Sequence, residues 1–185
     1  DTLVLVAPLA PLPVQEILVF LRDGGALLMF DDWGHSEELL KEFGIGREAP
    51  PMDHGWHYQG HPDFPIFGVA TDTDLFFNMQ GLESVLVGNH PSGLSLRPGV
   101  RGIVPLVSYE GKSGLHFALE VSIDRGHMMV VADSSLVINE MQSKHGNKQF
   151  LANALRRYCR KEPCTGIGIL PGATWHGTYR VRGNT

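Results

Sequence analysis

Two apolar runs, the nearly continuous Thr2 to Ala7 and the unbroken Ala26 to Phe30, constrain this chain more than any other feature. A strand that is apolar at nearly every position must be covered on both faces, the usual condition of a strand in a parallel sheet flanked by helices. Between the runs, Pro8-Leu-Ala-Pro-Leu-Pro13 turns the chain. Val14, Ile17, Leu18 and Leu21 then fall on one helical face, with Gln15, Glu16, Arg22 and Asp23 largely on the other. Pro13 suits a first helical turn, and Gly24-Gly25 ends the helix by left-handed capping. Strand, helix, strand is the seed of a wound sheet, because a helical crossover joins parallel neighbours.

The logic returns late in the chain. His127 to Ala132 reads as a buried strand, followed by Asp133-Ser134-Ser135 and by a helix from about Asn147 that turns Phe150, Leu151, Ala154, Leu155 and Tyr158 inward. In between, Ser36 is expected to cap a short helix with Leu39, Leu40 and Phe43 inward, Glu37 paired with Lys41, and Gly44 at its end. Ile66 to Ala70, Ser84 to Val87, Ile103 to Tyr109 and Leu115 to Val121 read as short strands divided by Gly- and Pro-bearing turns, some of them antiparallel additions. The expected class is α/β, three-layered, with a doubly wound and mainly parallel sheet. Residues 1–162 read as one domain and 163–185 as a Gly-rich extension ending in Trp175, Tyr179, Arg180 and Arg182, either a strand addition or a disordered stub.

Length and charge exclude whole classes. A chain of 185 residues, 43% hydrophobic, fills one core. Its 15 basic and 20 acidic side chains, a net charge of -5, are dispersed, so nucleic acid is not an expected partner. No apolar stretch approaches the roughly 20 residues that cross a bilayer, so no membrane-spanning segment is expected here. The opening within a strand, with no initiating Met or signal segment, reads as an excised piece or a mature product. Cys159 and Cys164 fit either a small disulfide loop around Pro163 or two free thiols.

Gly24-Gly25-Ala-Leu-Leu-Met-Phe-Asp31-Asp32, then Phe43-Gly44-Ile45, then Gly126 through Asp133-Ser-Ser to Asn139-Glu140, with Gly146-Asn147 and Phe150, together resemble the DUF4350 family. That family is similar to the auxiliary domains of gliding-type ABC transport systems and to the intraflagellar GIFT domain. The resemblance implies a class I glutamine amidotransferase-like, flavodoxin-like fold, a binding or assembly role, and an extracytoplasmic or membrane-associated setting in a parent protein.

Amidotransfer needs a thiol on a sharp strand-to-helix turn. Cys159 lies in the late helix and Cys164 just after it, so enzymatic activity of that kind is not expected. Asp133, Ser134 and Ser135 follow a buried strand, where carboxyl ends of parallel strands open on a ligand crevice. A serine there could act with a histidine base. The favoured reading is that Asp133 and the serines satisfy backbone groups in the turn while Asn139 and Glu140 fix the next segment. Asp31 and Asp32 end the second strand and could face the same crevice to hold a hard cation, although turn preference alone explains them better.

Gly46 to Pro65 is longer than an ordinary connection. Within it Asp53, His54, His57 and His61 could close on zinc or another divalent metal, although the spacing matches no familiar zinc signature. A partner-contacting surface anchored by Trp56, Tyr58 and Phe64 is the favoured alternative. The remaining histidines, His116 among them, read as structural. Gly24-Gly25 ends a helix and enters a strand, the reverse of a phosphate-binding loop, so no nucleotide is expected.

The leading expectation is therefore a non-catalytic domain that binds a protein partner or small ligand in a cell-envelope or transport-associated assembly. Behind it stand a hydrolase or metal-dependent enzyme using the crevice Asp and Ser with a loop His, and a structural module that joins copies of itself through a sheet edge or the tail.

Overall fold

The computed structural model describes residues 1–50, 55–69, 74–159 and 167–171, with 82–83 and 167–171 described for the backbone alone. In chain order the elements are β1 (Thr2–Val6), α1 (Val14–Arg22), β2 (Ala26–Phe30), α2 (Glu37–Glu42), β3 (Ile45–Glu48), β4 (Trp56–His57), β5 (Pro65–Gly68), β6 (Val85–Val87), β7 (Gly93–Leu96), β8 (Ile103–Ser108), β9 (Leu115–Ile123), β10 (Gly126–Val131), α3 (Asn139–Gln142), α4 (Asn147–Tyr158) and β11 (Ile167–Pro171).

The two apolar runs are β1 and β2, paired in parallel, and β10 joins β2 in parallel on the other side, with His127 opposite Ala26 and Val131 opposite Phe30. β11, within the Gly-rich extension, lies parallel to β1. Leu27, Leu28, Met29 and Phe30 are wholly buried, as are Met128 to Val131. Burying each such side chain contributes about 1.5–3 kcal/mol, which is what holds this half together. α1 packs Ile17, Leu18 and Leu21 onto it and stops at Gly24, whose φ of +97° is the left-handed cap expected of a glycine. Gly126 lies so close under α1 that a Cβ there would stand 2.0 Å from the Leu21 carbonyl oxygen.

Beyond β10 the expected doubly wound, mainly parallel, flavodoxin-like sheet is not what forms. The main sheet is mixed, in the order β11-β1-β2-β10-β9-β7-β3 with β8 also on β9, and a second sheet of β4, β5 and β6 is wholly antiparallel. β9 is antiparallel to β10, to β7 and to β8, and β7 to β3. The reason lies in the connections. Parallel neighbours need a crossover of a dozen or more residues, whereas β9 and β10 are joined by Asp124-Arg125 alone and β8 and β9 by residues 109–114. Such short turns can only fold strands back. The described residues contain four α-helices, two of them no longer than six residues, too few to cover both faces of a wound sheet.

Two local expectations about α2 also shift. Ser36 does not cap the helix through its side chain, because its hydroxyl is drawn to Asp31, and Lys41 pairs with Glu38 at 2.5 Å rather than with Glu37.

The antiparallel half is tied down by polar side chains from α4. Asn147, wholly buried, accepts from the Val87 N–H at 2.9 Å and donates at 2.9 Å to the carbonyls of both Val87 and Met141. Asn153 donates to the carbonyls of Leu75 and Phe77 at 3.0 and 2.8 Å. At the foot of α4, Glu120 takes a bidentate ion pair from Arg157, whose closest approach is 2.9 Å, and the Tyr158 hydroxyl at 2.7 Å. Cys159 is disulfide-bonded. No helix among the described residues is long and apolar enough to cross a membrane.

Candidate functional site

Because β2 and β10 are parallel neighbours in register, the residues that follow them emerge side by side at the carboxyl rim of the sheet. The Asp31 N–H continues the ladder to the Val131 carbonyl at 3.0 Å. The two aspartate-bearing turns then meet directly, since the Ser134 hydroxyl donates to Asp32 Oδ1 at 2.8 Å.

Each acidic side chain at this rim already has work in the turn. Asp31 is fully buried, and its carboxylate accepts from the Gly34 N–H at 2.6 Å, from the Ser36 hydroxyl and from Arg47 Nη2 at 2.6 Å. Arg47 comes from β3, is only 7% exposed, and also donates to the Gly34 carbonyl at 3.1 Å. The buried pair therefore links the end of β2 to the far edge strand. Asp32 turns outward, taking the Trp33 N–H at 3.1 Å beside Ser134.

Asp133 is fully buried and accepts from three donors, the Asn89 N–H at 2.7 Å, the Ser135 N–H at 2.9 Å and the Ser135 hydroxyl at 2.6 Å. It caps the 3-10 turn Ser134–Val137 and at the same time pins the loop that leads into β7. Burial pushes its carboxyl up to about 6, against the pull of the three donors, and Asp32 adds a smaller push in the same direction. Asn139 opens α3 as an exposed side chain and shares no hydrogen bond with this group.

The histidine loop divides. Asp53 and His54 lie outside the described residues. His57 ends β4 and is half-buried, while His61 sets Nδ1 at 3.5 Å from Asp63, whose other oxygen is 3.5 Å from His90 Nδ1. Among the described residues no group of three or more His, Cys, Asp or Glu side chains is placed to hold a metal ion. Of the three expected aromatic anchors, Tyr58 and Phe64 are used within the molecule. Tyr58 packs edge-on to His145 at 5.2 Å, and Lys144 stands over the rings of Tyr58 and Phe64 at 5.1 and 5.7 Å. Trp56 alone of the three is strongly exposed, at 77%.

Sequence reasoning missed Arg47, because nothing local in an edge strand marks a side chain that reaches an aspartate sixteen residues earlier. His116, read as structural, shares a 2.8 Å cross-strand hydrogen bond between β8 and β9 with Ser108, which had not been singled out, and burial lowers the imidazole pKa. Most of all, sequence reasoning missed an apolar set. Leu9, Trp33 and Ile138 follow β1, β2 and β10 in turn and are 66%, 63% and 45% exposed. The His35 N–H bonded at 2.8 Å to the Pro8 carbonyl brings the first two turns into contact.

Chemically, this rim is poor in free reactive groups. Ser134 faces a carboxylate rather than an imidazole, and the three aspartates are committed to loop geometry. Two cavities of the described residues lie elsewhere, one of about 300 Å³ at the amino ends of β1, β2 and β10, the other of about 410 Å³ beside α4.

The fold has solved counterparts. The N-terminal domain of mmIFT52 superposes with a TM-score of 0.64 at 17% identity, over 84% of this chain and 76% of that one. The cytoplasmic protein STM1381 from Salmonella typhimurium LT2 gives 0.58 at 12% identity, over 85% and 71%. A β-galactosidase from Bacillus circulans sp. alkalophilus gives 0.54 at 13%, over 85% of this chain but 22% of that enzyme. At such identities the likeness is one of fold. No curated protein matches the chain in sequence. A family model described as a domain of unknown function, DUF4350, matches residues 1–155, and the chain belongs to that family.

Proposed function

We propose that this chain is a non-catalytic binding domain that docks a protein partner on the carboxyl rim, within a cell-envelope or transport-associated assembly. The observation that carries the reading is the exposure of Leu9, Trp33 and Ile138 on the segments that follow three adjacent strands, β1, β2 and β10. Large exposed aromatic and aliphatic side chains set together mark interaction surfaces, and Trp is over-represented among residues that dominate binding energy. The polar groups of those segments support the same reading, because they hold the turns still instead of standing ready for chemistry. The assembly class rests on the resemblance to auxiliary domains of gliding-type transport systems.

The test is turnover. The purified chain is offered amide and ester substrates, with Ser134→Ala and Ser108→Ala variants alongside. No release above buffer is expected; activity that either substitution abolishes would overturn the reading.

A further inference from the structure

The loop that leads into β5 lays two aromatic rings against a cation. Between residues 55 and 69 it carries no Lys or Arg and a single carboxylate, Asp63. Its turn is closed by its own backbone. The Tyr58 N–H donates to the Phe64 carbonyl at 2.8 Å, the Phe64 N–H to the His61 carbonyl at 3.0 Å and the His61 N–H to the Tyr58 carbonyl at 3.1 Å. Gln59 and Gly60 make the reversal, with φ of +53° and +74°. Nζ of Lys144, from the segment between α3 and α4, stands 5.1 Å from the ring centroid of Tyr58 and 5.7 Å from that of Phe64. Each ring also has an imidazole beside it, His145 edge-on to Tyr58 at 5.2 Å and His61 tilted against Phe64 at 5.1 Å.

Lys144 is half-buried, and among the described residues its ammonium has no ion pair. A half-buried ammonium is ordinarily matched by a carboxylate, and here two ring faces take that place. A cation within about 6 Å of a ring centroid is attracted by the ring quadrupole, the more so as it sheds water. A primary ammonium suits such a place poorly, being compact and strongly hydrated. A trimethylammonium group carries the same charge under a larger apolar surface, so it gives up less water and touches more of both rings. The cradle does not depend on the lysine side chain. Its turn closes through the three hydrogen bonds above, and the segment bearing Lys144 is fixed by its own N–H donating to the Met141 carbonyl and its carbonyl accepting from the Asn147 N–H, both at 3.1 Å.

We infer that the turn from Tyr58 to Phe64 is a binding site for a trimethylammonium group, filled in the free chain by the Lys144 ammonium as a tethered competitor. Tyr58 and Phe64 supply the ring faces, and Asp63 places a carboxylate in the same turn. A lysine held there by the chain competes at an effective concentration on the order of millimolar. Only a cation that suits the rings better than a primary ammonium then enters, which makes Lys144 a filter as well as a stand-in. The site uses none of the rim residues and does not rest on the docking role proposed above, so either can fail without the other.

Titration of the full chain with choline, followed through the methyl proton resonance of the ligand, tests this. The ring faces should move that resonance upfield, and Lys144→Ala is expected to tighten the apparent Kd about tenfold relative to the wild-type chain. Lys144→Gln, which removes the charge but keeps a stem, should do the same and guards against a loosened turn in the alanine variant. Adding Tyr58→Leu to Lys144→Ala is expected to weaken binding about tenfold again. Neohexyl alcohol, the uncharged carbon analogue of choline, is expected not to bind. Lys144 variants that bind choline no better than the wild-type chain would overturn the inference, as would equal binding of the neutral alcohol, which would mark a merely apolar hollow. N-acetyl-trimethyllysine amide, titrated beside choline, identifies the source of the group. Tighter binding of the lysine derivative would support the site as a reader of modified polypeptide, and tighter binding of choline would support it as a site for a free ligand.

Discussion

The two halves of this molecule are held together in different ways. From β11 to β10 the sheet is parallel, its central strands are continuous apolar runs, and cohesion is spread over many buried side chains. From β9 to β3, and in the small sheet, the strands are antiparallel, and several connecting segments are fixed by a few polar side chains that each bridge distant backbone. Distributed packing tolerates the loss of one contact, whereas a single polar clasp leaves buried partners stranded when it goes. The contrast teaches that in the second half individual polar residues carry structural decisions that apolar pattern makes in the first.

The sharpest attempt to break this contrast is at the link between the halves. Arg47→Met leaves the fully buried Asp31 without its cation and is expected to cost about 3–5 kcal/mol, seen as a lower urea midpoint. A loss under about 1 kcal/mol would mean that the Gly34 N–H and Ser36 hydroxyl suffice and the clasp is ornamental.

Next in size is Asn147→Ala, which strands the N–H and C=O of Val87 and is expected to cost about 2–4 kcal/mol. Native-state hydrogen exchange should place the damage in 65–68 and 85–96, with β1, β2 and β10 little changed. Uniform acceleration through both halves would show that they are one cooperative unit and remove the distinction.

The third test uses pH. The Asp133 pKa is raised to about 6 from 3.8, so the folded state holds this proton more tightly than the unfolded chain does. Its contribution to stability is therefore fully present below about pH 4 and is lost as pH rises through 6. Relative to Asp133→Asn, which cannot titrate, wild-type stability should fall by on the order of 2–3 kcal/mol between pH 4 and pH 7. Parallel curves for the two proteins would show that the three donors hold the carboxylate charged and cancel the effect of burial.

How much was legible in the sequence follows the same division. Thr2 to Ala7, Ala26 to Phe30 and His127 to Ala132 announce covered strands because unbroken apolar composition has one cheap solution, and α1 and α4 follow from helical spacing. The antiparallel strands were visible as segments, but their pairing depends on which turns fold back, and generalising the opening pattern to the whole sheet failed for that reason. At the rim, Asp133 and its serines were readable as turn residues, which Ser135 exemplifies by both of its bonds to the carboxylate. The meeting of Ser134 with Asp32 required only that β2 and β10 be neighbours. Arg47 was not readable, since its meaning depends on a partner delivered by topology, and the exposure of Leu9, Trp33 and Ile138 on neighbouring segments follows only from the placement of β1, β2 and β10.

Asn147 has one further consequence. Its carboxamide engages the Val87 peptide groups as another main chain would, so the outermost strand of the three-stranded sheet offers no vacant donor and acceptor pair at that residue. A foreign β-segment seeking to lengthen that sheet would have to evict a wholly buried side chain first, and the molecule is thereby guarded against ribbon-like assembly at this border.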